Sequence, residues 1–377
     1  MVRKSLLDVW EAQVVEEAID QDRVIVDPHH HLWDPVNEPR GAISLGAKFL
    51  GCMSNSWRKR LTKYLFPKAA LDAFGYNTMA IDKFLTEELR AQFKGHNVVQ
   101  SVAIEAGWED KSAGKAELRS VGETAKFHKM SLDGGFPHAA IGFIDLRVGK
   151  ERTKAAIAKH REVNPNLRGF RHQLSWHKSK AVYRAPHAEE GLTRKENFRG
   201  GIEAIQEAGL IFEIWCYHTQ LDEAAELVAA FPGMQFVLNH VGTPLGLGPY
   251  KGEAGRAKAK TEWEGSITKI AAYPNVVVKL SGLFMPFCGF DFDKAPKPPT
   301  SDEVLEQMLP YFTLVFQLFG VERCMFASNF PVDRISCSYV VLYNAFKKLC
   351  DKLELDDEGK DKLFCLNARR VYSLEAI

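Results

Sequence analysis

The sequence predicts a single α/β domain folded as a (β/α)8 TIM barrel, and three observations lead to that fold class. Eight apolar runs rich in β-branched residues are spread along the 377 residues. Helical patterns occupy most of the intervals between these runs, and no Pro/Gly/Ser-rich linker or internal repeat divides the chain. Because strands that alternate with helices form a parallel sheet, eight such units are expected to close into a barrel. We therefore expect residues 1–377 to form one domain.

The eight predicted strands comprise residues 24–33, 98–107, 138–147, 167–176, 210–218, 235–242, 275–283 and 323–332. Helices are predicted before the last four strands. In IEAIQEAGL, for example, Ile202, Ile205 and Leu210 lie close to one helical face. The segments DEAAELVAAF, ITKIAAY and DEVLEQMLPYFTLVFQLFG also read as helices, and they precede strands six, seven and eight.

Residues 1–23 are predicted to form an N-terminal helical extension. The basic start of this segment resembles a signal peptide, but acidic residues interrupt any apolar stretch. The apolar side chains fall on one face of a helix instead: Leu6, Leu7, Trp10 and Val14.

Two intervals are longer than a simple crossover requires. These are residues 34–97 after strand one, and the loop FMPFCGFDFDKAPKPPT after strand seven. Loops that follow barrel strands lie at the C-terminal face, where active sites are found. We expect both to be lids or pocket walls, with residues 34–97 as an insertion over the barrel mouth. The alternative for residues 34–97 is an oligomer contact or a surface excursion.

Composition excludes several classes of protein. With 49 Lys+Arg against 48 Asp+Glu, the net charge of +1 argues against a protein that coats nucleic acid or an anionic membrane. The longest apolar stretches are strand-sized, too short for a transmembrane helix. Seven scattered cysteines without a CxxC pair predict a reduced, cytoplasmic protein. No GxGxxG or P-loop pattern suggests a nucleotide.

The first predicted strand ends in DPHHHLWD. Since side chains alternate along a strand, His29 and His31 share one face and His30 points the other way. Two imidazoles on one face can chelate a divalent ion or present an acid–base pair to a substrate. Their position at the end of a barrel strand favours a functional role over a structural one.

Strands two and four end in further polar groups. Glu105 follows an apolar run, so it is expected to be either paired structurally or used in catalysis. Arg171 closes strand four beside His172, where its planar guanidinium could grip a carboxylate or a lactone oxygen. The alternative for Arg171 is an ion pair with Glu105 or Asp145.

Strands five, six and eight also end in polar side chains. Tyr217 and His218 close strand five, His240 closes strand six, and Asn329 closes strand eight, with Asp333 four residues further on. Histidines at the ends of strands one, five and six are expected to converge on one mouth. A carboxylate after strand eight could activate water.

The ordered motifs DPHHHLW, RGFRH, LNHVGTP, VKLSGL and FASNFPVD resemble those of the amidohydrolase-related (amidohydrolase 2) TIM-barrel family. The resemblance runs from about Val24 to the ARRVYSL tail. It is nearest to the lactonase-like branch, which includes 2-pyrone-4,6-dicarboxylate lactonase and fuconolactonase. The resemblance implies that the histidines of metal-bearing relatives at the positions of His29 and His31 bind a cation. A strand-five histidine and a strand-eight aspartate complete that site in those relatives. In the metal-free lactonases it implies substrate binding at Arg171 and a role for His240.

Two departures from the family pattern affect what the resemblance implies. The strand-eight aspartate is Asn329 here, and an amide cannot act as a base, so Asp333, Glu105 or a histidine must replace it. His218 stands near the strand-five ligand of metal-bearing relatives, so His29, His31 and His218 could bind one Zn²⁺. The sequence thus predicts either no cofactor or one divalent metal.

Three functions are compatible with these residues. The first is a hydrolase that opens a lactone, or another cyclic ester or amide, of a small carboxylated or hydroxylated molecule. The second is a metal-dependent decarboxylase of an aromatic acid, and the third is a non-catalytic binding protein with a degenerate site. The partner is expected to be a small molecule, and a homo-oligomer stays open. Aromatic residues are predicted to wall the substrate site: Trp57, Trp176, Tyr217, Phe284 and Phe287.

Overall fold

The computed structural model describes residues 6–40, 42–50, 53, 55–65, 67–75 and 82–376. Its centre is a parallel sheet of eight strands in the order β1 to β8, each paired with its neighbours in sequence. A parallel bridge from His30 to Phe330 brings β1 against the segment after β8, so the sheet forms a nearly closed barrel. The predicted TIM barrel is confirmed. The strands are β1 Val24–His30, β2 Asn97–Ile104, β3 Ala139–Gly142, β4 Leu167–Gln173, β5 Ile211–Trp215, β6 Phe236–Leu238, β7 Val276–Leu280 and β8 Cys324–Phe326.

Helices surround the barrel, and the four that were predicted before β5 to β8 are present. The α-helices are α1 Leu6–Glu11, α2 Ala42–Leu50, α3 Asn55–Leu65, α4 Lys68–Phe74, α5 Thr86–Phe93, α6 Val121–Gly134, α7 Lys150–Val163, α8 Glu196–Glu207, α9 Leu221–Ala230, α10 Gly252–Ala271, α11 Ser301–Phe319, α12 Tyr339–Lys352, α13 Asp357–Asp361 and α14 Asn367–Tyr372. No helix in the described ranges is both long and apolar enough to cross a bilayer.

The observed strands begin within about a residue of their predicted starts but end earlier. After β3, for example, Asp145 caps a short helical turn at Leu146–Val148, and its carboxylate accepts the backbone N–H of Arg147. Polar side chains that bond to their own backbone compete with strand pairing. The strands therefore end within the motifs. His29 and Arg171 lie in β1 and β4, whereas His31, His240 and Asn329 lie in the segments that follow β1, β6 and β8.

The barrel interior is apolar at one end and polar at the other. Side chains such as Val26, Val102 and Val277 form a buried cluster to which Tyr372 of α14 also belongs. A second, larger cluster contains Phe170. Its side chains come from the strands and from the helices outside the barrel. With the α14 end of the interior filled by apolar groups, the polar side chains meet at the carboxyl ends of the strands.

The N-terminal helix packs onto the barrel. Arg334, after β8, donates from Nε to Glu11 at 3.0 Å and also pairs with Asp8. Trp10 donates its indole N–H to the carbonyl of Ala295 at 3.1 Å. The described helix ends at Glu11, before Val14, so residues 12–23 do not continue the predicted helical extension.

Candidate functional site

A cavity of about 370 Å³ opens at the carboxyl ends of the strands. This volume suits a small ligand. The strand ends and the segments directly after them contribute His31, Glu105, Arg171, Gln173, Trp215, His240 and Asn329. The loops and α4 contribute Trp33, Arg40, Phe74, Ala106, Gly107, Trp108, Glu109, Phe143, Tyr183, Pro186, His187, Met285 and Val332.

The two histidines of the HxH motif belong to one hydrogen-bonded chain. The Nε2 atoms of His29 and His31 lie 3.2 Å apart, and Nδ1 of His31 lies 3.0 Å from the carbonyl oxygen of Ile104. A carbonyl only accepts, so Nδ1 of His31 carries its proton and Nε2 accepts from His29. His30 points the other way, as predicted from strand alternation, and its Nε2 lies 2.8 Å from the Ser101 hydroxyl.

A buried ion pair supports His29 from inside the barrel. Nζ of Lys279, on β7, lies 2.7 and 2.8 Å from the two carboxylate oxygens of Glu213 on β5, and neither side chain is exposed. The same Nζ is 3.2 Å from Nδ1 of His29. Tyr372 and Asn239 also donate to Glu213, at 2.6 and 2.8 Å. This arrangement satisfies both charges and fixes the ring of His29.

Arg171 and Glu105 form the alternative that the sequence left open, a buried ion pair. Nε of Arg171 donates to Oε1 of Glu105 at 2.7 Å, and Nη2 donates to the Glu105 backbone carbonyl at 2.9 Å. Gln173 donates to the same Oε1 at 3.0 Å. Nη1 of Arg171 faces Asn239 at 3.4 Å, and the guanidinium lies 5.7 Å from the ring centre of Trp215. The guanidinium therefore has internal partners while it lines the cavity.

His240 stands in a strained turn after β6. Its φ of 54° is in the left-handed region, and its Nδ1 is 2.9 Å from the Ser281 hydroxyl. A Cβ added at Gly282 would lie 2.4 Å from the imidazole, so only glycine allows this ring position. Such strain is retained where the surroundings fix a side chain for a purpose.

Asn329 follows β8, and Asp333 lies behind it. Asn329 lines the cavity with φ of 55°, and its Nδ2 donates to Oδ1 of Asp333 at 3.3 Å. Oδ2 of Asp333 accepts the backbone N–H of Gly282 at 3.0 Å. Asp333 is fully buried and does not line the cavity. The structure thus places an amide in front of a buried carboxyl.

Burial controls the protonation of these groups. Desolvation holds the pKa of His29, His31 and His240 well below the ordinary histidine range, and the nearby cations Lys279 and Arg171 lower it further. The three imidazoles are therefore neutral at pH 7. Desolvation also raises the pKa of Asp333 to about 8, so that this carboxyl is mostly protonated at neutral pH.

Two of the predicted histidines have rings that turn away from the cavity, His172 and His218. His172 follows Arg171, and strand alternation turns its ring outward between Phe143 and Phe198, with both ring centres 5.4 Å away. Its Nε2 is 3.8 Å from Asp145. His218 contacts Glu262 through Nε2 at 3.3 Å and accepts the N–H of Leu245 at 3.2 Å. Both placements correct the expectation that these rings face the barrel mouth.

The predicted aromatic wall is built from other residues. Tyr217 is buried behind the cavity and donates its hydroxyl to the carbonyl of Tyr183 at 2.8 Å. Trp176 packs on Arg184, Phe284 packs on Phe290, and Trp57 is 54 % exposed. These three side chains are absent from the cavity lining within the described part of the chain.

Phe287 is the predicted aromatic that organises the wall, although it stands one layer behind it. Its ring centre lies 5.3 Å from Phe74, 6.2 Å from Tyr183 and 5.8 Å from Trp215, all three of which line the cavity. Phe74 and Tyr183 also meet edge to face at 5.1 Å. Aromatic contacts of this geometry are attractive, so the wall is preformed.

The donor set at the HxH motif does not fit a divalent cation. With Zn–N distances of about 2.0–2.1 Å, two imidazole nitrogens 3.2 Å apart could share one ion. However, the second nitrogen of a ligating histidine normally donates to an acceptor, whereas Nδ1 of His29 faces the Lys279 ammonium. Nη1 of Arg171 also lies 3.5 Å from Nε2 of His29. Within the described ranges, no three His, Cys, Asp or Glu side chains are grouped to hold a metal, so His218 does not join His29 and His31.

Sequence reasoning missed several residues of the site. Glu213 interrupts the apolar run IFEIW and Lys279 interrupts VVVKL, and a charge at an inward position of a buried strand is a signal that could have revealed both. Asn239 precedes His240 in a motif that was recognised. Phe74 and Tyr183 carry no comparable signal, because their place depends on how distant loops fold.

Comparison with known proteins agrees with this architecture. The sequence model of the Amidohydrolase family matches residues 26–374. The chain belongs to the amidohydrolase family. A relative from Sinorhizobium fredii, named uncharacterized protein y4mH, is 30% identical over 351 residues, which are 93% of this chain and 99% of that protein.

Two further amidohydrolase relatives are informative. An L-fucono-1,5-lactonase of Burkholderia multivorans is 26% identical over 331 residues, 88% of this chain and 97% of that protein. An amidohydrolase from Burkholderia multivorans, solved with bound Zn, superposes with a TM-score of 0.66 at 20% identity, over 93% of this chain and 100% of that one. The sequence matches agree with the lactonase-like branch that the motifs indicated, and the solved structure agrees with the fold.

Proposed function

We propose that this amidohydrolase opens a lactone by adding water to its ring carbonyl. One observation carries the proposal: the Glu105 carboxylate and the neutral imidazole of His240 line the same cavity. A base for water and a donor for the carbonyl are the two groups that ester hydrolysis needs. The relative whose name is L-fucono-1,5-lactonase supports the same class of reaction.

Glu105 is the group we assign as general base. It lines the cavity, and the two side-chain donors that hold it, Arg171 and Gln173, both bond to Oε1. We assign the other oxygen, Oε2, to take the proton from water. As that O–H bond breaks, the water oxygen bonds to the lactone carbonyl carbon.

His240 and Asn329 are the groups we assign to the carbonyl oxygen. Nδ1 of His240 lies 2.9 Å from the Ser281 hydroxyl, which can donate to it, and we assign the proton to Nε2, which then donates into the cavity. Asn329 has a second N–H besides the one that faces Asp333. These donors stabilise the negative charge of the tetrahedral intermediate. When the ring C–O bond breaks, the alkoxide takes back the proton from Glu105, and the product is a hydroxy acid.

Asp333, His29 and His31 support the reacting groups in this proposal. Asp333 is a positioning residue that holds Asn329, and the chain from Lys279 through His29 to His31 fixes the floor of the cavity. A relative was solved with Zn, but no step here depends on a metal, because the donor set at His29 does not fit one. The alternative of a metal-dependent decarboxylase depended on His218 as a metal ligand, and His218 does not lie beside His29 and His31.

The proposal is tested with a panel of sugar, aliphatic and aryl lactones, in which released acid is measured by titration at constant pH. We expect at least one class to be opened far above the uncatalysed rate, in EDTA as well as in untreated buffer. If every lactone is opened only at its uncatalysed rate, the hydrolase proposal is wrong. A ligand that stabilises the protein and is never consumed would then indicate a binding protein.

A further inference from the structure

The charged side chains that line the cavity are already neutralised. Arg40 pairs with Glu38 at 2.9 Å and also lies 3.4 Å from Glu123. Arg171 pairs with Glu105 at 2.7 Å. With these pairs in place, no lining arginine among the described residues lacks a carboxylate partner.

The other polar groups of the lining add no positive charge. The carboxylate of Glu109 pairs with Arg119 at 3.1 Å. His31 accepts a hydrogen bond from His29, and His187 accepts one from Arg147, so neither ring is an imidazolium. Burial holds the pKa of His240 well below the ordinary histidine range. A carboxylate on a bound substrate would therefore lose its hydration without gaining a counter-ion, and that costs free energy.

The walls of the cavity are aromatic. Among the described residues, six Phe, Tyr and Trp rings line the space. The loops and helix α4 provide Trp33, Phe74, Trp108, Phe143 and Tyr183, and the end of β5 provides Trp215. Phe287 backs three of these rings and holds them in place. The polar lining groups come mainly from the strand ends. The cavity thus has a polar floor and aromatic walls, which match a molecule with one polar group on an apolar ring.

We infer that the substrate of this enzyme is an uncharged lactone fused to, or carrying, an aromatic or similarly apolar ring. This inference rests on the proposed lactonase function and narrows its substrate class. It replaces the broader expectation of a carboxylated or hydroxylated molecule. The lactone carbonyl lies at the strand ends beside His240 and Glu105, and the apolar ring lies against Phe74, Tyr183 and Trp215.

The first experiment compares three probes on the purified protein: dihydrocoumarin, a dihydrocoumarin that carries a ring carboxylate, and glucono-δ-lactone. We expect kcat/KM for dihydrocoumarin to exceed that of the other two by about tenfold or more, because the neutral aryl ring is the part that the walls can desolvate. Equal or better turnover of the carboxylated or polyhydroxylated probe would overturn the substrate class and leave the lactonase function intact.

Variants then locate the ring. Phe74→Ala should raise KM for dihydrocoumarin about tenfold with kcat nearly unchanged, since it removes binding that is equal in ground and transition states. Leu132→Ala is the matched control, because Leu132 is an apolar side chain that is 73 % exposed on α6. Equal effects of the two variants would contradict the placement of the ring.

A binding measurement separates the two proposals if no lactone is opened. Dihydroquinolinone, the lactam counterpart of dihydrocoumarin, resists hydrolysis, and its binding can be followed by calorimetry against its carboxylated derivative. Tighter binding of the uncharged lactam, weakened by Phe74→Ala, supports the substrate class even where the hydrolase proposal fails. Tighter binding of the carboxylated lactam, or no binding of either, overturns it.

Discussion

The ammonium Nζ of Lys279 lies 3.2 Å from Nδ1 of His29, and both side chains are completely buried. Burial lowers the pKa of Lys279 to about 8, while Glu213 opposes this shift and keeps the ammonium charged at neutral pH. A charged lysine can only donate, so Nδ1 of His29 accepts and Nε2 keeps the proton. The tautomer of the HxH motif is therefore fixed from inside the barrel.

We predict that Lys279→Met destabilises the protein strongly. The substitution leaves the Glu213 carboxylate buried without its counter-ion, which typically costs about 3–5 kcal/mol. The double variant Lys279→Met/Glu213→Gln should recover part of that loss, because it removes both charges. Urea denaturation followed by circular dichroism gives the comparison.

The control for this prediction is Lys129→Met, because Lys129 pairs with Asp133 on the exposed face of α6. We expect that variant to lie within about 0.5 kcal/mol of the wild type. Similar losses of unfolding free energy for Lys279→Met and Lys129→Met would show that the buried ion pair stabilises the fold no more than an exposed one.

We predict that Glu105→Gln lowers kcat about 10²–10⁴-fold on any lactone that the enzyme opens, since it removes the base but keeps the shape of the side chain. Asp333→Asn should keep kcat within about tenfold, because Asp333 does not line the cavity and an amide can still bond to Asn329. Steady-state kinetics of both variants decide the assignment. The reverse order of losses would make Asp333 the base.

The raised pKa of Asp333 predicts a particular dependence of stability on pH. A carboxyl with a pKa of about 8 in the folded protein and an ordinary pKa in the unfolded chain binds its proton more tightly when folded. Its contribution to stability is therefore present at low pH and is lost as the pH rises from about 4 to 8. Asp333→Asn should remove that component. The free energy of unfolding of the variant should therefore rise relative to that of the wild type by about a few kcal/mol as the pH increases from about 4 to 8.

Thermal melts at several pH values measure this difference. Asp133→Asn, at an exposed carboxylate on α6, is the control and should follow the wild-type pH profile. If Asp333→Asn and the wild type lose stability in parallel from pH 4 to 8, Asp333 is ionised in the folded protein at neutral pH.

We predict that chelation leaves lactone turnover unchanged within about twofold, because cations and not acceptors surround His29. The metal content of the protein, measured by mass spectrometry before and after EDTA treatment, tests whether His29 and His31 bind no metal. About one Zn²⁺ per chain, lost in His31→Ala and retained in His218→Ala, would mean that the lysine and arginine rearrange around an ion.

The order of the strands could be read directly from the sequence, and so could the alternation of the three consecutive histidines that begin at His29. The spacing of His29 and His31 predicts that they share a face, and the structure joins them at 3.2 Å. Arg171 and Glu105 were each recognised, with their ion pair as an alternative. The expectation that His172 belongs to the site is wrong, because alternation along β4 turns its ring away from Arg171 and toward Phe143.

What the sequence by itself determined was the barrel and the set of polar strand ends, because periodicity and alternation are local properties of the chain. Only the tertiary structure decided which of these ends meet. In the folded chain His218 contacts Glu262, and Lys279 pairs with Glu213. Phe74 and Tyr183 pack against each other at the cavity. These contacts join residues far apart in sequence, and they form where packing and charge pairing balance the cost of burial.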